Sequence, residues 1–388
     1  MELQRELMLN DAQARHCARM QEYLAAEIAA AGWLSFERFM DLALYAPGLG
    51  YYSAGAHKLG VGGDFTTAPE VSRLFGACLA RQCAEVLSEL RGGSILEIGA
   101  GSGRLAVDIL RRLEQLGLLP ACYWILDISA DLRERQRRYI AQHVPHLQAR
   151  VHWLDRPPDT AFDGLILANE VLDALPVTRF RWHRDRVEEL GVVIDDRRFA
   201  WESRPAAPPL AEACRRRWQA GGNWDDGYVS EYCPRLIPWT QSVTRELRTG
   251  AVLWLDYGLP RPQYYHPDRD TGTLTCHFKH RAHFDPLIHL GVQDITAWVD
   301  FTRVALAGTA AGLDLLGFCT QAGFLLGSGI DAMLAEARDT VEQAQLAGQA
   351  RRLLMPGEMG EAFKVLALGR GLEVPLVGFR HQDLRDSL

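Results

Sequence analysis

One run of residues, Ile95-Leu-Glu97-Ile-Gly99-Ala-Gly101-Ser-Gly103, constrains this chain more than any other. Apolar residues over 94–98 read as a strand. Leu105, Ile109, Leu113 and Leu116 repeat at helical spacing behind the glycines. Glycines between a strand and a helix let the backbone approach a ligand closely. A dinucleotide fingerprint would read G-x-G-x-x-G, but Arg104 stands at that third position and the spacing is G-x-G-x-G. Glu97, two residues before the first glycine, suits a ligand with a cationic end better than a pyrophosphate. S-adenosylmethionine carries an ammonium and a sulfonium and no phosphate, so the segment points to it as cofactor.

The surrounding rhythm supports a parallel sheet. Strands are expected over 94–98, 123–128, 150–154, 164–168 and 251–256, with helices between the first three and a turn at 156–159. Asp127 ends the second strand, the usual place for an acid that accepts both ribose hydroxyls, and Ile128 follows it. Asp155 ends the third and is a candidate acceptor for the adenine amino group. The fourth strand runs into Leu167-Ala-Asn169-Glu170-Val-Leu-Asp173-Ala-Leu-Pro176. Its carboxyl end should lie beside the first strand's glycines, across the topological switch point. Asn169, Glu170 and Asp173 are therefore candidates to face the reacting methyl group, with a helix cap the competing role for Asp173. Glu231, in Val229-Ser-Glu-Tyr-Cys-Pro234, is a fourth candidate on the acceptor side, and Asp256 a further one, each weighed against a turn or salt bridge.

Upstream, 11–45 reads as helical, followed by Gly62-Gly-Asp-Phe-Thr-Thr-Ala-Pro-Glu70. Asp64 and Thr67 are candidates for a lid over the cofactor, and Thr67 with Glu70 has capping-box spacing. The candidate cofactor set is thus Asp64, Thr67, Glu97, Gly99, Ala100, Gly101, Gly103, Asp127, Ile128, Asp155 and Asn169. After Pro176 the pattern turns to antiparallel strands over 177–201. An irregular excursion follows at 257–300, then helices and a last strand over 362–368. The expected organisation is an N-terminal helical and lid segment, 1–90, and a core of 91–176 and 246–370. A subdomain of 177–245 is inserted in it, 257–300 forms a substrate-side loop, and 371–388 is a tail.

Composition narrows the class. The 388 residues hold 42 basic and 49 acidic side chains, a formal charge of −7, and 48% are apolar, which excludes global disorder. Mild acidity argues against a nucleic-acid partner. The apolar stretch at 304–313 is far short of the ~20 residues a spanning helix needs, so no membrane insertion is expected. Eight cysteines without a C-x-x-C pair, and an N-terminus with Glu2, Glu6 and Asp11 but no apolar h-region, suggest a cytoplasmic protein. His277, His280 and His283 do not match known zinc spacings, and Lys279 and Arg281 put cations between them, so no metal is expected.

With these residues in place, the chain resembles the MidA-like family of class I methyltransferases. That family includes the mitochondrial arginine methyltransferase required for respiratory complex I assembly. The resemblance covers about 20–370. It rests on Tyr51-Tyr52, Gly63-Asp-Phe-Thr-Thr-Ala-Pro-Glu70, Glu97-Ile-Gly-Ala-Gly-Ser-Gly103, Asn169-Glu-Val-Leu-Asp-Ala-Leu-Pro176 and Asp256-Tyr-Gly258. It continues through Asp294-Ile-Thr-Ala-Trp-Val-Asp-Phe301, Thr320-Gln-Ala-Gly-Phe-Leu-Leu326 and Met359-Gly-Glu-Ala-Phe-Lys364. It implies an α/β fold with a mostly parallel, Rossmann-like sheet of seven strands, the last antiparallel. It also implies S-adenosylmethionine as methyl donor and S-adenosylhomocysteine as product. The substrate it implies is a protein, a respiratory-complex subunit among the partners, methylated on arginine Nω. Two departures stand out. The glycine loop reads Gly-Ala-Gly-Ser-Gly where mitochondrial members have Gly-Pro-Gly-Arg-Gly, and Asn169-Glu170 replaces a His-Glu pair. The second change lies beside the acceptor and departs from the mitochondrial substrate site; without a transit peptide, a bacterial relative is the expectation. Two alternatives to a methyltransferase stand beside it: an assembly factor that binds cofactor with little turnover, and a nicotinamide oxidoreductase, which the glycine spacing disfavours.

Overall fold

Every residue of β1 (Ser94–Ile98), the strand that leads into the glycines, is buried, the pattern of a central strand covered on both faces. The computed structural model, which describes residues 8–54, 67–184 and 186–388, places β1 between β2 (Tyr123–Leu126) and β4 (Phe162–Asn169), all parallel. Outside them lie β3 (Val151–Leu154) and β5 (Leu247–Leu259). Two further strands, β6 (Asp314–Thr320) and β7 (Phe363–Arg370), complete the order β3-β2-β1-β4-β5-β7-β6. The last strand, β7, runs antiparallel to both its neighbours. Val299–Asp300 adds a two-residue eighth strand at the end of β5. This is the expected α/β methyltransferase sheet.

The sheet belongs to a unit made of Thr66–Leu172, Leu236–Leu259 and Val299–Leu388. Helix α1 (Arg73–Glu89) buries Leu74, Phe75, Cys78, Leu79 and Val86, apolar residues at helical spacing. With α2 (Arg104–Gln115) it covers a core that includes Ile95, Ile125, Leu165, Leu253 and Val365. The expected Thr67–Glu70 capping box does not form. Thr67 precedes a four-residue turn, Ala68–Val71, without a side-chain cap bond. The chain then extends at Ser72, whose hydroxyl accepts from the Leu74 amide at 3.2 Å to start α1. Glu70 is engaged elsewhere, as described below.

The second unit comprises Met1–Phe65, Asp173–Arg235 and Pro260–Trp298. Helices Asp11–Ala31 and Phe36–Tyr45 contribute Met20, Leu24, Phe36 and Phe39 to a core shared with Val192, Leu274 and Ile295. Strands Thr178–His183, Arg186–Asp195, Arg198–Pro205 and Val229–Tyr232 form most of an antiparallel sheet, with Leu34–Ser35 at its edge. The 257–300 passage is more ordered than expected. Within it Thr275–Phe278, Arg281–His283 and Asp294–Thr296 make a three-stranded sheet. Such short strands carry too little alternation to stand out in a sequence. Among the described residues no helix is long and apolar enough to cross a membrane.

Candidate functional site

The carboxyl edge of the parallel sheet gathers most of the candidate residues. Gly99, Gly101 and Gly103 all adopt positive φ (69°, 53° and 84°), a region that side-chain-bearing residues rarely enter. A Cβ at Gly99 would stand 2.8 Å from Val171 Cγ2. The positive φ at all three positions, with this close approach at Gly99, favours glycine through the loop. Ala100 is buried within it, and α2 starts at once after Gly103. Glu97 is buried one layer below, and its carboxylate accepts from the Tyr123 hydroxyl at 2.9 Å. Burial pushes its pKa up to about 7.

Asp127 follows β2 directly and is buried. One oxygen accepts from the Ser129 amide at 2.9 Å and the other from Gln136 Nε2 at 2.8 Å. Ile128 beside it is 68% exposed, an apolar face available to an adenine ring. Asp155 follows β3; its side chain is largely exposed and pairs with Arg133. Asp64 lies outside the described residues. Thr67 accepts through its carbonyl from the amides of Glu70 and Val71.

Two residues that the sequence reading left without a site role support this edge. Glu70 accepts from Ser102 Oγ in the glycine loop, and its backbone carbonyl accepts from Arg104 Nη1 at 3.1 Å. That employment explains why it is not a cap. Gln136 of α3 (Ala130–His143) is wholly buried and also donates to the Gly101 carbonyl at 3.0 Å. The available signal was a polar residue in the middle of the Leu132–Ile140 stripe.

At the end of β4, beside β1, Asn169 Nδ2 donates to Glu170 Oε1 at 3.1 Å. Asn169 Oδ1 is buried and, among the described residues, has no hydrogen-bond partner. Glu170 sits at φ 54°, a left-handed conformation that costs a non-glycine residue about 1–3 kcal/mol. Its amide donates to Leu255 O at 2.8 Å. Asp256, fully buried at the end of β5, accepts from the amides of Leu172 (2.9 Å) and Val171 (3.2 Å) with one oxygen and of Tyr257 (2.9 Å) with the other. It thereby holds the turn that presents Asn169 and Glu170.

The remaining candidates belong to the other unit. Asp173 is buried, its carbonyl accepts from the Ala297 amide, and its charge, after burial and Asp294, helps push the Tyr52 hydroxyl pKa well up. Tyr52 donates to both carboxylate oxygens of Asp294 at 3.0 Å. Glu231 is fully buried, with Oε2 accepting from the Thr273 amide (2.7 Å) and hydroxyl (3.0 Å) and Arg179 Nε 3.5 Å from Oε1. These partners make it a brace of the 272–273 turn. His280 lies at the tip of a hairpin whose residues Lys279 and His280 both have positive φ. Among the described residues no group of three His, Cys, Asp or Glu is placed to hold a metal ion.

The glycine cradle, the buried acids and the partnerless amide oxygen fit a cationic, ribose-bearing cofactor. Comparison with known proteins agrees. Residues 78–319 match the family model described as "Putative S-adenosyl-L-methionine-dependent methyltransferase". The protein arginine methyltransferase NDUFAF7, mitochondrial, of Rattus norvegicus is 30% identical over 92% of this chain and 86% of its own. The Homo sapiens protein of that name is 29% identical over 90% and 83%. A superfamily member from Burkholderia thailandensis, crystallised with S-adenosyl-homocysteine bound, is 42% identical. It has a TM-score of 0.93 and covers 98% of this chain and 99% of that one.

Proposed function

The chain belongs to the MidA-like family of class I S-adenosylmethionine-dependent methyltransferases, and from that premise we propose that it methylates a protein, at the Nω of an arginine. The observation that carries this reading is the end of β4, where a buried, partnerless amide oxygen stands beside a carboxylate on the strand next to the glycine loop. An arginine side chain offers five N–H donors in a plane and stays charged at any physiological pH. Two acceptor oxygens side by side, one neutral and one charged, make a natural receptor for it. The relatives named protein arginine methyltransferases support the same acceptor, and a respiratory-complex subunit is the protein partner we propose.

When bound, the cofactor supplies a methyl group on a sulfonium. Asn169 Oδ1 accepts an N–H of the guanidinium and orients one ω nitrogen toward that methyl. The nitrogen's own pair would make the N–C bond, with the C–S electron pair kept on the cofactor's sulfur. Glu170 takes the proton the nitrogen sheds. Asp127 and Asp155 would hold the adenosine end, and Glu97 would meet the cationic amino-acid end.

The test is transfer of labelled methyl from S-adenosylmethionine to proteins of a lysate that lacks this protein, comparing the wild type with Glu170→Gln. The wild type labels protein and the variant does so at least about a hundredfold more slowly. Equal labelling with both sinks the role of Glu170. Absence of labelling with either sinks the methyltransfer itself and leaves an assembly factor.

A further inference from the structure

Leu132, Gln136 and Ile140 form the buried stripe of α3, three positions four residues apart on one helix face. An apolar side chain would complete that stripe. The chain places an amide there instead, wholly buried, which destabilises unless its polar atoms are paired. They are paired. Nε2 donates to the Gly101 carbonyl at 3.0 Å and to Asp127 Oδ2 at 2.8 Å, and Oε1 accepts from the Trp153 indole at 2.9 Å. Two acceptors on one side and a donor on the other fix which way the amide points. Its partners come from three segments: the glycine loop, the end of β2, and β3, where Trp153 lies two residues before Asp155. A Cβ at Gly103 would stand only 3.3 Å from the Gln136 Cα, so the loop and the helix are also in close backbone contact here.

We propose that Gln136 is a positioning residue for S-adenosylmethionine, its amide locking the Asp127 carboxylate and the Gly101 peptide into one fixed relation before the cofactor arrives. The proposal rests on Asp127 as the acceptor of the ribose hydroxyls. Packing alone would be served by Leu or Met at this position. Only an amide can donate to a carbonyl and a carboxylate while accepting from an indole.

The test is calorimetric titration of the full chain with S-adenosylhomocysteine between pH 5.5 and 8, each variant against the wild type at the same pH. Gln136→Glu keeps the shape but turns a carboxylate oxygen toward the Gly101 carbonyl and the Asp127 carboxylate. At pH 8 its affinity falls about tenfold or more. On acidification the two carboxylates share a proton. The restored O–H donor to Asp127 recovers most of the loss by pH 5.5. Trp153→Phe removes the donor that orients the amide and weakens binding about threefold at every pH. It decides the matter if Gln136→Glu does not fold. Asp127→Asn tests the underlying reading separately: it weakens binding without acid recovery, and wild-type affinity in that variant defeats the ribose role of Asp127 whatever Gln136 does. The positioning role is overturned by wild-type affinity in Gln136→Glu, or by a loss in it that does not change with pH. If that variant does not fold, wild-type affinity in Trp153→Phe overturns it.

Discussion

Glu97 lies wholly inside the sheet unit, and burial raises its carboxyl from 4.5 to about 7, with the Tyr123 hydroxyl opposing the rise. A folded-state pKa above the unfolded value means that the native chain holds the extra proton between those limits. The stability this confers is complete below about 4.5 and is lost as pH rises through about 7. The wild type should therefore lose more stability between pH 5 and 8 than Glu97→Gln, as read by urea unfolding at both pH values; parallel losses would contradict this. On the proposed placement of the cofactor, its cationic end would favour the charged form of the same carboxyl, so cofactor affinity should rise over that interval in the wild type and stay flat in the variant. At this scale the sequence was most informative where chemistry is local. The glycine spacing, Glu97 and Asp127 stand within one strand-turn-helix-strand passage and could be read together. Gln136 and Glu70 reach the glycine loop from more than thirty residues away, and nothing in their immediate neighbours announces that.

The turn after β4 shows how an element from elsewhere in the chain sets a site. Glu170 would relax from its positive φ if the next two amides were released, and Asp256, 84 residues beyond Leu172, holds both. Asp256→Asn keeps the shape but sets an N–H₂ group against at least one of the backbone donors it now satisfies, a loss of about 1–3 kcal/mol. Turnover should fall at least about tenfold, because the strained residue is the one proposed to take the proton. Cofactor affinity should stay within about threefold of the wild type, since the glycine loop and Asp127 lie on other strands. Calorimetry with S-adenosylhomocysteine beside labelled methyl transfer separates the two quantities, and a parallel loss of both would contradict the assignment. The strands and helices of the sheet were legible from periodicity, and their boundaries moved by only a few residues. The capping box was not, since Thr67 and Glu70 have the right spacing but Glu70 is drawn to the glycine loop. The short strands of 275–296 are not legible in the sequence, because two or three alternations look like any loop.

Across the whole molecule, the chain that follows the antiparallel last strand closes the open edge of the sheet. Among the described residues, edge strand β6 pairs with β7 alone, and an exposed edge is a template for unwanted pairing. The C-terminal residues cover it: Gln382 Oε1 accepts from the Thr320 amide and hydroxyl, and the Leu384 amide donates to Phe318 O. Leu376, Val377 and Phe379 are buried, and the Val377 and Gly378 amides donate to Glu85 and Gln82 of α1. The segment expected to be a tail is thus a strap across the sheet unit. Burying each such apolar side chain contributes about 1.5–3 kcal/mol. Deleting 372–388 should lower the melting temperature by at least about 5 °C and promote aggregation, checked by calorimetry and light scattering; an unchanged midpoint would show the strap to be dispensable. The central claim concerns what the assembled site does to another protein. Its most direct test is mass spectrometry of the proteins labelled in a lysate by the wild-type chain and S-adenosylmethionine. The account predicts the methyl group on the ω nitrogen of an arginine, absent from the Glu170→Gln reaction; a methyl group on any other side chain, or on no protein at all, would contradict it.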